Sequence, residues 1–86
     1  MKFYYVYMLK CSDDSIYVGL TNAIDRRFKE HQLGFNKECY TFNRRPLQLI
    51  FHQEFMQFEQ AKNFEKKIKK WSRKKKLHWQ MKITNI

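Results

Sequence analysis

Eighty-six residues with a formal net charge of +10 and fifteen aromatic side chains (eight Phe, five Tyr, two Trp) read as one domain, 1–86, whose small core leans on rings. The excess charge is not spread evenly: residues 1–61 carry eight Lys and Arg against seven Asp and Glu, whereas residues 62–86 carry ten against one. The apolar run from Phe3 to Leu9 is too short to cross a bilayer and has no cleavage signal, and Cys11 and Cys39 lack metal-ligand spacing, so a cytoplasmic protein with two reduced thiols is expected.

Phe3 to Lys10 is rich in aromatic and β-branched residues and predicts a strand, with Tyr5, Tyr7 and Leu9 on one side and Tyr4, Val6 and Met8 on the other. Ser12-Asp13-Asp14-Ser15 is a turn cluster, and Ile16 to Leu20 completes a hairpin. A helix follows from about Asn22, its N-cap, to Leu33, with Asp25 in the first turn and Gly34 as the stop signal. Gly34 to Pro46 reads as a loop carrying Lys37, Arg44 and Arg45. Leu47 to Phe51 predicts a third strand that starts at Pro46. A second helix spans about Gln57 to Trp71. Ser72 then caps a last helix from about Arg73 to Lys82, with Leu77 and Met81 inward. The order ββαβαα predicts an α+β fold, a small three-stranded sheet with helices packed on it.

Both longer helices carry ionisable groups on the side they should bury. On the second, Phe58, Ala61, Phe64, Ile68 and Trp71 fall within about 140° of arc, and Glu65 lands among them while every Lys from 62 to 70 faces away. A carboxylate carried toward a core costs several kcal/mol unless a cation, a metal ion or a cleft compensates it. On the first helix Arg27 and His31, four apart, share the face of Ala23, Ile24 and Phe28. Convergence of Arg27, His31 and Glu65 on one site accounts for both anomalies, since local patterning fails at functional positions. A buried Arg27–Glu65 ion pair with His31 beside it is the structural alternative.

The hairpin also holds Tyr5-Val6-Tyr7 and, further on, Tyr17-Val18-Gly19. With Asp-Arg-Arg-Phe-Lys-Glu-His, Arg-Arg-Pro-Leu-Gln-Leu and Glu-Lys-Lys-Ile-Lys-Lys-Trp following in order, the chain resembles the GIY-YIG nuclease family over nearly its whole length, in particular its small stand-alone bacterial members. The resemblance implies that Tyr7 and Tyr17 face an active site, that Arg27 is the catalytic arginine, that His31 is the histidine some members use, and that Glu65 binds the metal, Mg²⁺ or Mn²⁺. Tyr5 stands where the family has glycine. The family's late asparagine has no match at the expected spacing, the downstream amides being Gln80 and Asn85, so that role is unassigned.

These groups suit phosphodiester hydrolysis. Mg²⁺ is commonly held by one or two carboxylates while keeping several waters, which one glutamate satisfies. Arg27 offers a donor fork to phosphate. Tyr7 is the expected base, with Arg27 and a metal-bound substrate lowering its pKa, and His31 is a second candidate. Tyr17 would hold the attacking water or the phosphate. Lys66, Lys67, Lys69, Lys70, Arg73, Lys74, Lys75 and Lys76, with Arg44 and Arg45, would grip the nucleic-acid backbone without reading its sequence. The expectation is therefore a DNA endonuclease acting on branched, damaged or other DNA in repair or recombination, either structure-selective or weakly sequence-selective or relying on a protein partner for targeting. The competing expectations are a non-catalytic nucleic-acid-binding module of the same fold and, less well supported, a basic helix lying on a membrane.

Overall fold

The alternation of apolar side chains in the first ten residues builds the centre of the molecule. In the computed structural model, which describes residues 2–80, Tyr4–Lys10 forms strand β1, with Ile16–Thr21 (β2) on one side and Gln48–Phe55 (β3) on the other, both antiparallel. The sheet order is β2-β1-β3, so β1 is the central strand, paired along both edges, and Val6, Tyr7, Met8 and Leu9 are all buried. The β1–β3 register slips between Met8 and Leu9, where Met8 faces Phe51 and Leu9 faces Leu49.

Each face of the sheet receives one long helix. Helix α1 (Ile24–Leu33) contributes Ile24 and Phe28 to the cluster around Tyr7, Leu9, Cys11 and Leu47. Helix α2 (Phe58–Lys69) contributes Ala61, Phe64 and Ile68 to the cluster around Val6, Met8, Val18, Ile50 and Phe51. The period-2 pattern of β1 thus sorts two helices onto two cores. Helix α3 (Arg73–His78) is short and adds Leu77, with Trp71 just ahead of it, to the α2 side.

The α+β class and the element order agree with expectation; three boundaries do not. Asn22 is not the cap of α1. Strand β2 runs through Thr21, whose hydroxyl accepts the Ala23 N–H at 3.1 Å, and Ala23 takes the N-cap position without a side-chain cap. Gly34 does end the helix, at φ 70°, with its N–H turned back to the Glu30 and His31 carbonyls. Strand β3 continues to Phe55, because pairing with Tyr4, Tyr5 and Val6 extends it past Phe51. Ser72 caps α3 by accepting the Lys75 N–H, but that helix ends at His78; the expected inward Met81 lies outside the described residues.

Candidate active site

Tyr7 is sealed beneath α1 at 1% exposure, and its phenol needs a partner there. His31, reaching down from the last turn of α1, supplies it: Tyr7 Oη lies 3.0 Å from His31 Nε2. The other ring nitrogen, Nδ1, lies 2.8 Å from Thr41 Oγ1, and the Thr41 hydroxyl donates to Cys39 Sγ at 3.5 Å. Tyr17 pairs with Leu9 across the hairpin and so shares the Tyr7 face. Its ring centroid is 5.1 Å from that of His31 and 6.3 Å from that of Tyr7. Arg27, one turn before His31 and half-buried, is oriented by Glu30 through a 3.1 Å bond from Nη1 to Oε1. On the outer side Tyr40 stacks against Tyr17, and the Arg44 guanidinium lies 3.8 Å over the Tyr40 ring.

The electrostatics of the cluster follow from burial and a single strong cation. Burial pushes the Tyr7 phenol well above the ordinary tyrosine range and neighbouring Tyr17 adds to this; the Arg27 guanidinium pulls it down but does not win. Tyr17 is raised for the same first reason. In the free protein Tyr7 stays protonated because desolvation outweighs one guanidinium; the expected activation by Arg27 together with a metal-bound substrate concerns the loaded site. His31 is shifted down, first by burial and then by Arg27, so its imidazole is neutral near pH 7. Burial would raise the Cys39 thiol, but the Thr41 hydroxyl and N–H and the charge of Arg27 together bring it below its usual value.

Glu65 approaches from the other face of the sheet. It is 5% exposed, as its place on the apolar stripe required, and its two oxygens lie 3.3 Å from Lys62 Nζ and 3.1 Å from Lys69 Nζ. Among the described residues no hydrogen bond or ion pair joins it to Tyr7, Tyr17, Arg27 or His31. The connection runs around the edge strand. A cavity of about 240 Å³ is lined by Ile16, Tyr17, Val18, Tyr40, Lys69 and Lys76, which takes in both faces of β2. Tyr17 and the lysine that holds Glu65 therefore border one opening.

Of the expected backbone-gripping cations, Lys66, Lys67, Lys69, Lys70, Arg73, Lys74 and Lys75 are exposed and Lys76 is half-buried. Arg73 also donates to the Asp14 carbonyl, and Lys75 lies over the Trp71 ring. Arg44 and Arg45 tie down the loop. Arg44 bonds Asp13 and the Tyr40 carbonyl, and Arg45 bonds the Phe42 carbonyl while covering its ring.

Residues 3–78 match the family model described as the GIY-YIG catalytic domain. This chain belongs to the GIY-YIG family. It is 41% identical over 73 residues to a UPF0213 protein of Bacillus pumilus, covering 85% of this chain and 74% of that one. It is likewise 41% identical to a UPF0213 protein of Clostridium perfringens, covering 85% and 77%. The solution NMR structure of the UPF0213 protein BH0048 from Bacillus halodurans superposes with a TM-score of 0.56 at 39% identity, over 88% of this chain and 80% of that one. That of EF2693 from E. faecalis superposes at 0.60 and 29% identity, over 100% and 97%.

The GIY-YIG superfamily is one of nucleases that typically use divalent metals. The donor set of this GIY-YIG domain suits a hard ion. Glu65 is a single carboxylate whose lysine partners are about half exposed, at 45% and 53%. Among the described residues no group of three or more His, Cys, Asp or Glu gathers as a metal site. Sequence reasoning missed Cys39, Tyr40 and Thr41. All three sit in a loop without periodicity, and no pattern there signals which residues turn inward. Among the described residues no helix is long and apolar enough to cross a membrane.

Proposed function

We propose that this GIY-YIG domain is a metal-dependent endonuclease that hydrolyses DNA phosphodiester bonds, with structure-selective or weak sequence preference, in DNA repair or recombination. The observation that carries this reading is the buried 3.0 Å contact between the Tyr7 hydroxyl and a neutral His31, beside Arg27 and Tyr17 at the open edge of β2.

In this reading the Tyr7 oxygen takes a proton from the attacking water as its own proton passes to His31 Nε2. The water oxygen bonds phosphorus, the bond from phosphorus to the leaving sugar oxygen breaks, and that oxygen takes a proton from solvent. His31 then returns its proton to solvent. Arg27 binds the non-bridging oxygens, and Tyr17 orients the water or the phosphate. Glu65 would hold the divalent ion, which when bound neutralises the phosphate and stabilises the leaving oxygen. The exposed lysines of α2 and α3 supply affinity that falls with salt.

The test is incubation of supercoiled plasmid and branched DNA with the protein, with and without EDTA, across pH. Nicking that requires the metal is expected; binding without cleavage would favour the scaffold reading. His31 is faced by Tyr7 from β1, Tyr17 from β2, Arg27 and Glu30 from α1, and Thr41 and Cys39 from the loop. Its folded pKa lies below its unfolded value of about 6.5, so the unfolded chain binds the proton more readily. Stability from this group is therefore complete above about pH 6.5 and is lost as pH falls toward the folded pKa. Cleavage should show an acid limb that also lies below about pH 6.5, visible in a rate profile and absent from the DNA-binding curve.

A further inference from the structure

The hydrogen-bond chain Tyr7–His31–Thr41–Cys39 has a direction, and Thr41 sets it. Thr41 has one hydroxyl proton, and Cys39 Sγ, 3.5 Å from Oγ1, is placed to accept it. The lone pairs of Oγ1 are thus left for His31 Nδ1 at 2.8 Å, and an acceptor at that distance requires Nδ1 to carry the proton. The same answer comes independently from the other end. The buried Tyr7 phenol keeps its proton and needs an acceptor, and Nε2 at 3.0 Å is bare if Nδ1 is protonated. Tyr7 and Thr41 are each 1% exposed and His31 is 4% exposed, so in the free protein these polar groups take one another as partners.

The loop is built to hold that hydroxyl still. Thr41 is the N-cap of a 3₁₀ turn over Phe42–Arg44, and its carbonyl accepts the Arg44 N–H. The Arg44 carbonyl accepts the Ser12 N–H from the hairpin turn, while its side chain bonds Asp13.

We propose that Thr41 is a positioning residue: it fixes the His31 imidazole as the Nδ1–H tautomer, so that Nε2 stands ready for the Tyr7 proton during phosphodiester cleavage. The claim rests on the nuclease reading for its catalytic half, and on the hydrogen-bond geometry alone for its tautomer half. The role is the one an orienting acceptor plays for an imidazole base wherever the second nitrogen must be fixed.

The experiment uses the full chain labelled with ¹⁵N-histidine, in which exposed His52 and His78 serve as internal references. Long-range proton–nitrogen correlation reads the tautomer directly. In the unaltered protein His31 should show a protonated Nδ1 and an unprotonated Nε2. Thr41→Val keeps the shape but removes the acceptor, and should shift His31 toward Nε2–H. The same variant should lower kcat about 10- to 100-fold, leave KM for a supercoiled-plasmid substrate unchanged, and move the acid limb of the rate profile. Thr41→Ser should restore both tautomer and rate. A protonated Nε2 in the unaltered protein would overturn the proposal, and this outcome needs no variant to fold. An unchanged tautomer and rate in Thr41→Val would overturn it as well. Absence of all cleavage by the unaltered protein would instead overturn the nuclease reading and the catalytic half with it, while the nitrogen shifts would still decide the tautomer.

Discussion

Glu65→Gln is expected to lower metal-stimulated cleavage about 10²- to 10³-fold, while the variant melts close to the unaltered protein. The separation of the two effects follows from where the carboxylate sits. It is buried on the α2 side, but its partners Lys62 and Lys69 are about half exposed, and pairs with exposed ammonium groups are worth about 0–1 kcal/mol each. Glutamine fills the same volume and keeps an acceptor for Lys69, so little packing is lost. What disappears is the charge that would hold a divalent ion near the Tyr17–Lys69 opening. DNA affinity should be unchanged or slightly tighter, since one negative charge leaves a cationic surface. Nicking rates against Mg²⁺ concentration, thermal melts and a DNA-binding curve measure the three quantities. Cleavage by Glu65→Gln at the unaltered rate would remove Glu65 from the metal role and reduce it to a partner of the two lysines.

Gly19→Ala should damage both stability and chemistry, for one steric reason. Gly19 faces Tyr7 across the hairpin, and a Cβ there would stand 2.4 Å from Tyr7 Oη and Cζ. The ring cannot retreat, because Tyr7 is packed under α1 and bonded to His31. Overpacking of this kind costs about 1–3 kcal/mol, which in a domain of this size lowers the melting temperature by about 4–8 °C per kcal/mol. Displacement of the phenol from His31 should cut cleavage about 10²-fold, as a misplacement of about 1 Å does elsewhere. The control is Tyr7→Leu, which removes the atoms the new methyl would meet. In that background Gly19→Ala should cost far less, and the double-mutant cycle should give a coupling of about 0.5–3 kcal/mol. Independent, additive costs would show that the glycine serves strand geometry and not the phenol. The open backbone at Gly19 is thus the space Tyr7 occupies.

The linear pattern carried most of the architecture and one half of the site logic. Alternation in Tyr4–Lys10, the turn cluster before Ile16 and the helical stripes of α1 and α2 each state a local preference that the fold obeys. The same periodicity exposed Glu65 and His31, because an ionisable group on an apolar stripe is visible without coordinates. Charge segregation marked residues 62–86 as the cationic part of the chain. Tertiary structure alone decided the rest. Only the antiparallel register places Gly19 over the Tyr7 phenol, and only the sheet order leaves β2 at an edge where groups from opposite faces border one cavity. The loop from Gly34 to Pro46 has no repeat that distinguishes an inward Thr41 from an outward Asn43; its course is set by long-range ties such as Arg44 to Asp13, which no local window contains. The protonation of the site belongs to the same class. Burial outweighs the Arg27 charge at Tyr7, and burial is a property of the assembled sheet and helices and of no single segment.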